Sequence, residues 1–452
     1  MTRSLKLTSC LLPWFVACSS SGDGAPATNL QGGVAGAGAS QAGAAGNAQG
    51  GKAQGGTGGS GQSGSGGKAQ AGSAQSGSGG TAQAGAGGSA QGGGGGKAQA
   101  GAGGAVTPPA CSGASLSAAT RVTPLASSSG ASGNVVTSER PSGSAVAWSA
   151  GGKVHLTPLD AVDARAGADV VLDGDVVYGL VASDAGAAAL FSRQPDYMTF
   201  VRVDWSGKEL ARVDLLGGKD HAVKGNEWFY EFAKTGRLAR GEADGYVAYF
   251  ALHRRWPDGI GHQGDTLRFL DADGKPKAGG WGWGCSHSMD LRLATLGAST
   301  GTICISDCYP DKGIFFQHDK VKITSDPKAN CAGGFTTDLG GFVATQDGYF
   351  LSYTDAAGAS HLAKLGADGK VAATTDLDVP DTRLARRGKG LLLGRGGGAV
   401  TLQALDASGA AVAPPEAVGA SLPALDFESR SDGDVAWGFA SGAGVSVVRV
   451  CD

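Results

Sequence analysis

From residue 111 to the last residue, the chain is a succession of short apolar runs in which hydrophobic and polar positions alternate or β-branched residues cluster. Typical runs are VVYGLVAS, TFVRVDW, GYVAYFAL and GYFLSYT, which begin at residues 176, 199, 245 and 348. Glycine, aspartate and serine interrupt these runs, and the period of an amphipathic helix is almost absent. The pattern predicts an all-β domain.

One turn recurs among these strands in the same frame. An apolar strand end is followed by a tight turn that contains glycine, in VDWSGK, LDADGK, LGADGK and LDASGA. Glycine accepts the positive φ that such a hairpin requires. The turn glycines Gly207, Gly274, Gly369 and Gly409 are spaced by 67, 95 and 40 residues. These spacings fit one unit with an insertion, two units and one unit of the about 40 to 50 residues in a propeller blade.

Counting inward from both ends predicts a seven-bladed β-propeller over residues 111–452. The blades are expected to begin near seven positions, Val135, Val176, Trp228, Met289, Thr336, Arg383 and Leu425. Blades 1 and 3 are irregular, which leaves six and eight blades as neighbouring interpretations.

The last blade contains sequence for three strands, so its fourth strand must come from elsewhere. The segment ATRVTPLA at 119–126 is a lone strand that can supply it and close the ring. Cys111 and Cys451 would then flank the seam, which predicts a disulfide between them in an exported protein.

The first 110 residues have a different composition. Between about residue 31 and residue 105 the chain is nearly all Gly, Ala, Ser and Gln. So little apolar surface cannot offset chain entropy, and residues 18–110 are therefore predicted to form a disordered, low-complexity tether. Residues 1–17 combine a basic start with a short apolar run, which predicts a signal peptide rather than a membrane span.

The apolar run ends at Cys18, followed by SSSGDG. This order resembles a bacterial lipoprotein signal, and the signal and tether together resemble those of myxobacterial outer-membrane lipoproteins. The resemblance implies that Cys18 is lipidated and that the protein is anchored to the outer membrane by lipid alone, with its head periplasmic or at the cell surface.

The charge of the folded head limits its partners. Five of the 37 basic and one of the 40 acidic residues precede residue 111, which leaves the head with a net charge of −7. A mildly acidic head without a basic stripe argues against nucleic-acid binding. The glycine-rich stretches lack the preceding strand and following helix of a phosphate loop, and we expect no cofactor.

Large aromatic and charged residues concentrate in loops around predicted blades 3 and 4. In a propeller, the blade-to-blade loops and the loops between second and third strands emerge on one face. That face would collect thirteen residues, Asp220, His221, Glu227, Trp228, Arg254, Arg255, Trp256, His262, Asp265, Trp281, Trp283, His287 and Asp290. Surface loops on a rigid scaffold commonly hold binding sites. The alternative is that the tryptophans plug the central channel or cover blade 4.

Four cysteines, Cys285, Cys304, Cys308 and Cys331, belong to blade 4 or its borders. In an exported domain this number favours two disulfides over a metal cage. All three pairings remain open, and the hairpin register around Ala298 favours Cys285 with Cys308. A zinc site that includes His287 is the alternative, although the spacings Cys285-x-His287 and Cys304-x3-Cys308 are weak, and we expect no metal.

Two classes of function are consistent with these residues. In the favoured one, the head is a binding module that recognises a carbohydrate, peptide or protein through Trp256, Trp281 and Trp283, oriented by polar residues such as Arg254, Arg255 and His262. The alternative is an extracytoplasmic enzyme, metal-assisted or lyase-like, that uses His262 and His287 beside Asp265 and Asp290. No complete catalytic set supports the second.

Overall fold

The structure is a computed structural model. It describes residues 115–125, 130–193, 197–216, 227–229, 235–255, 261–288, 290–318, 320–396, 400–442 and 444–452, with the backbone alone for 216, 227–229, 254 and 255. The predicted signal peptide, Cys18, the tether and Cys111 lie outside these ranges. Within them, no helix is long and apolar enough to cross a membrane.

Seven antiparallel sheets follow one another along the chain and confirm the seven-bladed propeller. The chain enters through α1 (Leu116–Ala119) and β1 (Thr120–Pro124). Blade 1 comprises β2 (Ser132–Arg140), β3 (Gly143–Ala150), β4 (Lys153–Leu159) and β5 (Val170–Asp173). Blade 2 comprises β6 (Val176–Ser183), β7 (Gly186–Arg193), β8 (Tyr197–Asp204) and β9 (Glu209–Leu216).

Blade 3 comprises β10 (Glu227–Phe229), β11 (Gly236–Arg240), a 3-10 turn (Glu242–Asp244), β12 (Tyr246–Arg255), β13 (Gly261–Leu270) and β14 (Pro276–Trp281). Its inner edge is split, because β10 and β11 pair with different halves of β12. Trp228, where the blade was expected to begin, lies in the first piece. Blade 4 comprises β15 (Leu291–Leu296), β16 (Ser299–Ser306), β17 (Gly313–Phe316) and β18 (Val321–Ser325).

Blade 5 comprises β19 (Asp338–Thr345), β20 (Gly348–Thr354), β21 (Ser360–Gly366) and β22 (Val371–Leu377). Blade 6 comprises β23 (Thr382–Arg387), β24 (Gly390–Arg395), β25 (Thr401–Leu405) and β26 (Glu416–Ala417). Blade 7 comprises β27 (Glu428–Ser429), β28 (Val435–Ser441) and β29 (Gly444–Val450). Its fourth strand is β1, which pairs antiparallel with β29 from Thr120↔Val450 to Pro124↔Ser446. The predicted closure by the N-terminal segment is confirmed.

The recurrent hairpin glycines serve two purposes. All four have φ between +81° and +88°. In addition, Gly369 lies against the ring of Phe316 and Gly409 against that of Phe350, each from the preceding blade, so closely that a Cβ would clash. Glycine is therefore needed for the turn and for blade-to-blade packing. The apolar core accordingly lies between neighbouring blades, as where Leu190 and Phe200 of blade 2 pack with the blade 3 cluster.

The inner strands are linked to their neighbours by side chains that bind backbone groups. These bonds join Ser138 to Ala182, Arg292 to Leu339 and Gly340, Arg386 to Ser429, and Glu139 to Glu428. Each inner strand would otherwise present unpaired backbone groups to the centre, and such bonds satisfy some of them.

The seam between blades 7 and 1 carries a buried ion-pair cluster. Asp163 of blade 1, 1% exposed, pairs with Arg121 of β1 at 2.6 Å and with Arg449 of β29 at 2.6 Å. Burial alone would raise the pKa of Asp163, but Arg449 and Arg121 hold it below its ordinary value. Cys451, next to the last residue, is disulfide-bonded. Its predicted partner Cys111 lies outside the described residues.

Candidate functional site

The loop from β14 to β15, which carries WGWGCSHSMD, is folded back over blade 3 and against blade 4. Ser286 forms a bridge with Gly264 of β13, and the amide of His287 donates to the carbonyl of Gln263 at 3.0 Å. The amide of Ser286 donates to the carbonyl of Tyr309 at 2.8 Å. The loop therefore joins two blades through backbone hydrogen bonds, which position its side chains.

Trp281, the last residue of β14, is held by a buried carboxylate. Its Nε1 donates to Asp265 Oδ2 at 2.8 Å, and Asp265 is fully buried. Burial raises the pKa of Asp265, and the hydrogen bond from Trp281 and the nearby hydroxyl of Tyr249 oppose that rise. A Cβ on Gly284 would meet both the carboxylate and the indole, so the second glycine of WGWG permits this packing.

Five side chains from blades 3 and 4 form a continuous series of ring contacts, which we call the aromatic row: His262, Trp283, Tyr309, His318 and Trp281. Successive ring centroids are 6.3, 5.4, 5.8 and 5.7 Å apart. The last three pairs are tilted by 36° to 44°. Tyr309 is 48% exposed, whereas the other four are half-buried. The row is thus a surface of aromatic rings that are tilted relative to one another, and Tyr309 is the most exposed of them.

His287 lies beside the row and is bound to a buried carboxylate. Its Nδ1 lies 2.9 Å from Asp307 Oδ1, which also accepts from Ser286 Oγ at 2.7 Å. Burial would raise the pKa of Asp307, but hydrogen bonds from the amide of Gly333, from Ser286 and from His287 hold it below its ordinary value. Because Ser286 donates to the carboxylate, the three groups do not form a nucleophile–base pair.

The four cysteines form two disulfides, Cys285–Cys304 and Cys308–Cys331. The preference for Cys285 with Cys308 is wrong. That preference extended the β15–β16 hairpin register back to Cys285, but β15 begins at Leu291, and the preceding residues turn toward blade 3. Asp265, Cys285 and Cys304 lie close enough to suggest a metal site, yet the two sulfur atoms are bonded to each other. In this oxidised state they do not offer a thiolate set.

The two carboxylates expected to assist the histidines are engaged elsewhere. Asp265 is bound to Trp281, and Asp290 forms an ion pair with Arg292. Neither contact involves His262 or His287, and the acid–base role of these histidines stays a prediction. His287 instead pairs with Asp307, which was not singled out from the sequence.

The remaining predicted site residues fall into two groups. The backbones of Arg254 and Arg255 lie in β12, opposite His262 and Gly261, and Glu227 and Trp228 lie opposite Arg255 and Arg254. Trp256, Asp220 and His221 lie outside the described residues. Trp281 and Trp283 are not among the residues that line the central cavity, so the plug interpretation does not describe their position.

Sequence reasoning missed Tyr309, His318 and Asp307. Tyr309 and Asp307 belong to the loop between β16 and β17, the second and third strands of blade 4, and neither residue was singled out from the sequence. His318 belongs to the β17–β18 turn. β17 has four residues, so the loop before it and the turn after it lie close together. This proximity accompanies the contact between Tyr309 and His318.

No protein-family model matches the chain, and no curated protein matches it. Similar solved structures include the propeller of Dos1, with 10% identity over 68% of this chain and 75% of that one, at a TM-score of 0.41. The structure of BBS1N in complex with ARL6DN has 9% identity over 74% and 95%, at 0.45. The WD40 β-propeller domain of Doa1 has 14% identity over 73% and 97%, at 0.39. The class defined by the fold is the seven-bladed β-propeller.

Proposed function

We propose that this protein is a surface-tethered binding module whose aromatic row recognises a protein or peptide partner. The observation that carries the proposal is the series of ring contacts that has the exposed Tyr309 at its centre. Aromatic side chains provide large contact areas at low conformational cost and are enriched at the centres of interfaces. Propellers are also a common architecture among protein-binding modules.

The geometry of the row favours an apolar protein side chain over a sugar. A sugar ring stacks on a flat, accessible aromatic face, whereas Trp283 and Tyr309 are tilted by 36° and shield each other. Tilted rings form a shallow apolar cleft, which suits an aliphatic or aromatic side chain. Arg254, Arg255, Trp256 and His287 are the candidates for polar and additional apolar contacts at its border.

The test is binding of the labelled full chain to envelope fractions from the cells that produce it. Replacement Tyr309→Ala should reduce saturable binding about tenfold or more, since central aromatic anchors commonly contribute over 1.4 kcal/mol. Leu210→Ala is the matched control, because Leu210 in blade 2 is also 48% exposed. Protease treatment of the fractions should abolish binding, and periodate treatment should not.

Two results would contradict this assignment. Equal binding by the Tyr309→Ala protein would remove the aromatic row from recognition. Loss of binding after periodate with resistance to protease would identify a glycan instead.

The tether is a second part of the proposal. We infer that lipidated Cys18 anchors the protein to the outer membrane and that residues 18–110 separate the head from the bilayer. A flexible chain of the 75 residues between about 31 and 105 would have a root-mean-square span of roughly 50 Å. Metabolic labelling with palmitate should mark the protein in its producing cells, and Cys18→Ser should abolish both the label and membrane fractionation. Retained fractionation of that variant would refute the anchor.

A further inference from the structure

The inner strands surround a central cavity of about 620 Å³. One end is occupied by buried charged side chains, where Asp426 pairs with Arg237 at 2.5 Å and with Arg292 at 3.3 Å. Toward the opposite end, the lining includes Arg240, whose side chain is 49% exposed, and the exposed Ser431. The cavity is therefore accessible from the end where the inner strands turn into their hairpins, and it has the volume typical of a small-molecule site.

Polar and apolar atoms share the cavity wall about equally, and the apolar part comes from several blades. Leu180, Leu238, Phe342, Leu384 and Phe427 line it from blades 2, 3, 5, 6 and 7. These residues belong to five inner strands or to the positions just before them. Apolar side chains therefore lie all around the cavity and not on one side alone. A wall of this kind favours a ligand with an aliphatic or aromatic group.

Four charged residues line the same cavity near its accessible end, namely Glu139, Arg140, Arg240 and Arg386. Arg386 is the penultimate residue of β23, and Glu139, whose amide binds Glu428, is the penultimate residue of β2. The side chain of Arg386 forms no ion pair or hydrogen bond with any residue that the structure describes. Its backbone amide donates to Ser429 at 2.8 Å, which places Arg386 next to β27 and hence near Glu428.

Glu428 has one oxygen in use and one that lacks a well-formed hydrogen bond. Oε1 accepts from the amide of Glu139, whereas Oε2 is buried and has no partner at full hydrogen-bond geometry. The Thr137 hydroxyl is close enough to lower the carboxyl pKa, as is the charge of Arg430, but burial outweighs both and raises the pKa to about 7. A ligand that donates a hydrogen bond or brings a positive charge would satisfy this oxygen.

We propose that the central cavity binds a small zwitterion with an apolar side group, namely an amino acid or a dipeptide. Its carboxylate pairs with the guanidinium of Arg386, its ammonium group binds the free oxygen of Glu428, and its apolar group lies along Leu238, Leu384 and Phe427. Each charge of the ligand meets the opposite charge inside a partly enclosed cavity, where such pairs are stronger than in bulk water because the local dielectric is lower. The site is separate from the aromatic row and independent of the function proposed for it.

The test is isothermal calorimetry of the full chain with L-phenylalanine, L-leucine and the dipeptide leucyl-phenylalanine. N-acetyl-L-phenylalanine lacks the ammonium group, and L-phenylalaninamide lacks the carboxylate, so each should bind at least about tenfold more weakly than the best zwitterion. Comparison of the free amino acids with the dipeptide identifies which size of zwitterion the cavity accepts.

Two substitutions assign the charges. Arg386→Gln should weaken zwitterion binding about tenfold and leave the residual binding of the amide unchanged, since the amide makes no carboxylate contact. Glu428→Gln should weaken the zwitterion and leave the N-acetyl compound unchanged, and its side-chain amide oxygen can still accept from Glu139. Lys389→Gln is the control, because Lys389 is exposed in the hairpin after β23 and does not line the cavity.

Thermal unfolding of each variant establishes that it is folded before binding is compared. The absence of heat with all three zwitterions at millimolar concentration would overturn the proposal. Binding that is equally strong for the N-acetyl or amide compound, or that survives both cavity substitutions, would overturn it as well.

Discussion

The aromatic row and the central cavity are built in different ways. The row depends on loops that two disulfides and two buried carboxylates hold against blades 3 and 4. The cavity depends on inner strands from all seven blades and on the side chains that link them. The row should therefore be sensitive to local chemistry, whereas the cavity should be sensitive to closure of the ring.

Because of this difference, the two regions should be disrupted by substitutions at different places. A change at the seam between blades 7 and 1 acts on every inner strand, because the ring is then free to open. A change in the disulfide nearest the row acts on two blades. Measurements that separate global unfolding from local rearrangement can distinguish the two regions.

The largest effect is expected from Asp163→Asn at the seam. The substitution leaves Arg449, which is 5% exposed, and Arg121 without their buried counter-charge, at a cost of about 3 to 5 kcal/mol in the free energy of unfolding. Asparagine tolerates the positive φ of 60° at this position, so backbone strain is not introduced. Denaturant unfolding measures the cost.

Asp184→Asn is the control for the seam. Asp184 also pairs with an arginine, but its side chain is 48% exposed, and its substitution should cost far less than that of Asp163 because solvent screens the pair. Equal costs for the two substitutions would mean that the ion pairs of Asp163 at the seam do not stabilise the closed ring.

The second effect concerns the two disulfides of blade 4. Cys285–Cys304 and Cys308–Cys331 close loops of similar length, with separations of 19 and 23 residues, so each should contribute about 3 kcal/mol through the unfolded state. Cys285 and Cys304 are fully buried, whereas Cys308 and Cys331 are exposed. Replacing the buried pair by alanine should therefore cost more, because it also leaves a cavity.

Access distinguishes these disulfides independently of stability. Under a mild dithiol reductant, alkylation followed by mass spectrometry should label Cys308 and Cys331 before Cys285 and Cys304. Simultaneous labelling of all four would mean that the buried pair opens as readily as the exposed pair, and the aromatic row would then have no rigid support.

The third effect concerns Glu428 in the cavity and depends on pH. Its pKa is 4.5 in the unfolded reference and about 7 in the folded protein, so the native state binds more protons between these values. The contribution of Glu428 to stability is therefore fully present below about pH 4.5 and is lost as pH rises through 7, by on the order of 3 kcal/mol. Glu428→Gln should remove this dependence, as measured by unfolding at a series of pH values. The neighbouring charges Arg430 and Glu139 are present in both proteins.

Glu416 provides a control of opposite sign. The amides of Ser117 and Leu116 lower its pKa, so its contribution is present above pH 4.5 and lost as pH falls. Glu416→Gln should therefore reduce stability at neutral pH, where Glu428→Gln increases it. The same sign for both would place Glu428 outside a desolvated cavity.

The sequence was more informative about the scaffold than about the chemistry. The hairpin glycines and the lone strand at 119–126 predicted the blades and their closure, because positive φ and an unpaired edge are local requirements with few solutions. The split inner edge of blade 3 was not predicted, since two strand fragments that share one partner have no periodic signal.

The site was predicted in part. Trp281 and Trp283 were brought together with His262, but Tyr309 and His318 joined them through contacts between blades that sequence spacing does not determine. The predicted pairing of Cys285 with Cys308 was wrong because it continued the β15–β16 register to residues that precede β15. The cavity charges were not identified at all, since Arg386 and Glu428 are ordinary strand residues until closure of the ring brings both to the wall of one cavity.

The smallest effect distinguishes the support of the row from ordinary hydrogen bonding. Trp281 donates to the buried carboxylate of Asp265 at 2.8 Å, and Trp205 in blade 2 donates to the carbonyl of Ser183 at 3.0 Å. Trp281→Phe should cost about 1 kcal/mol more than Trp205→Phe, because it leaves a buried carboxylate short of a donor. Denaturant unfolding of the two variants compares them directly. Equal costs would show that Asp265 is protonated or satisfied by Tyr249 alone. The hydrogen bond to this carboxylate would then not explain the position of Trp281.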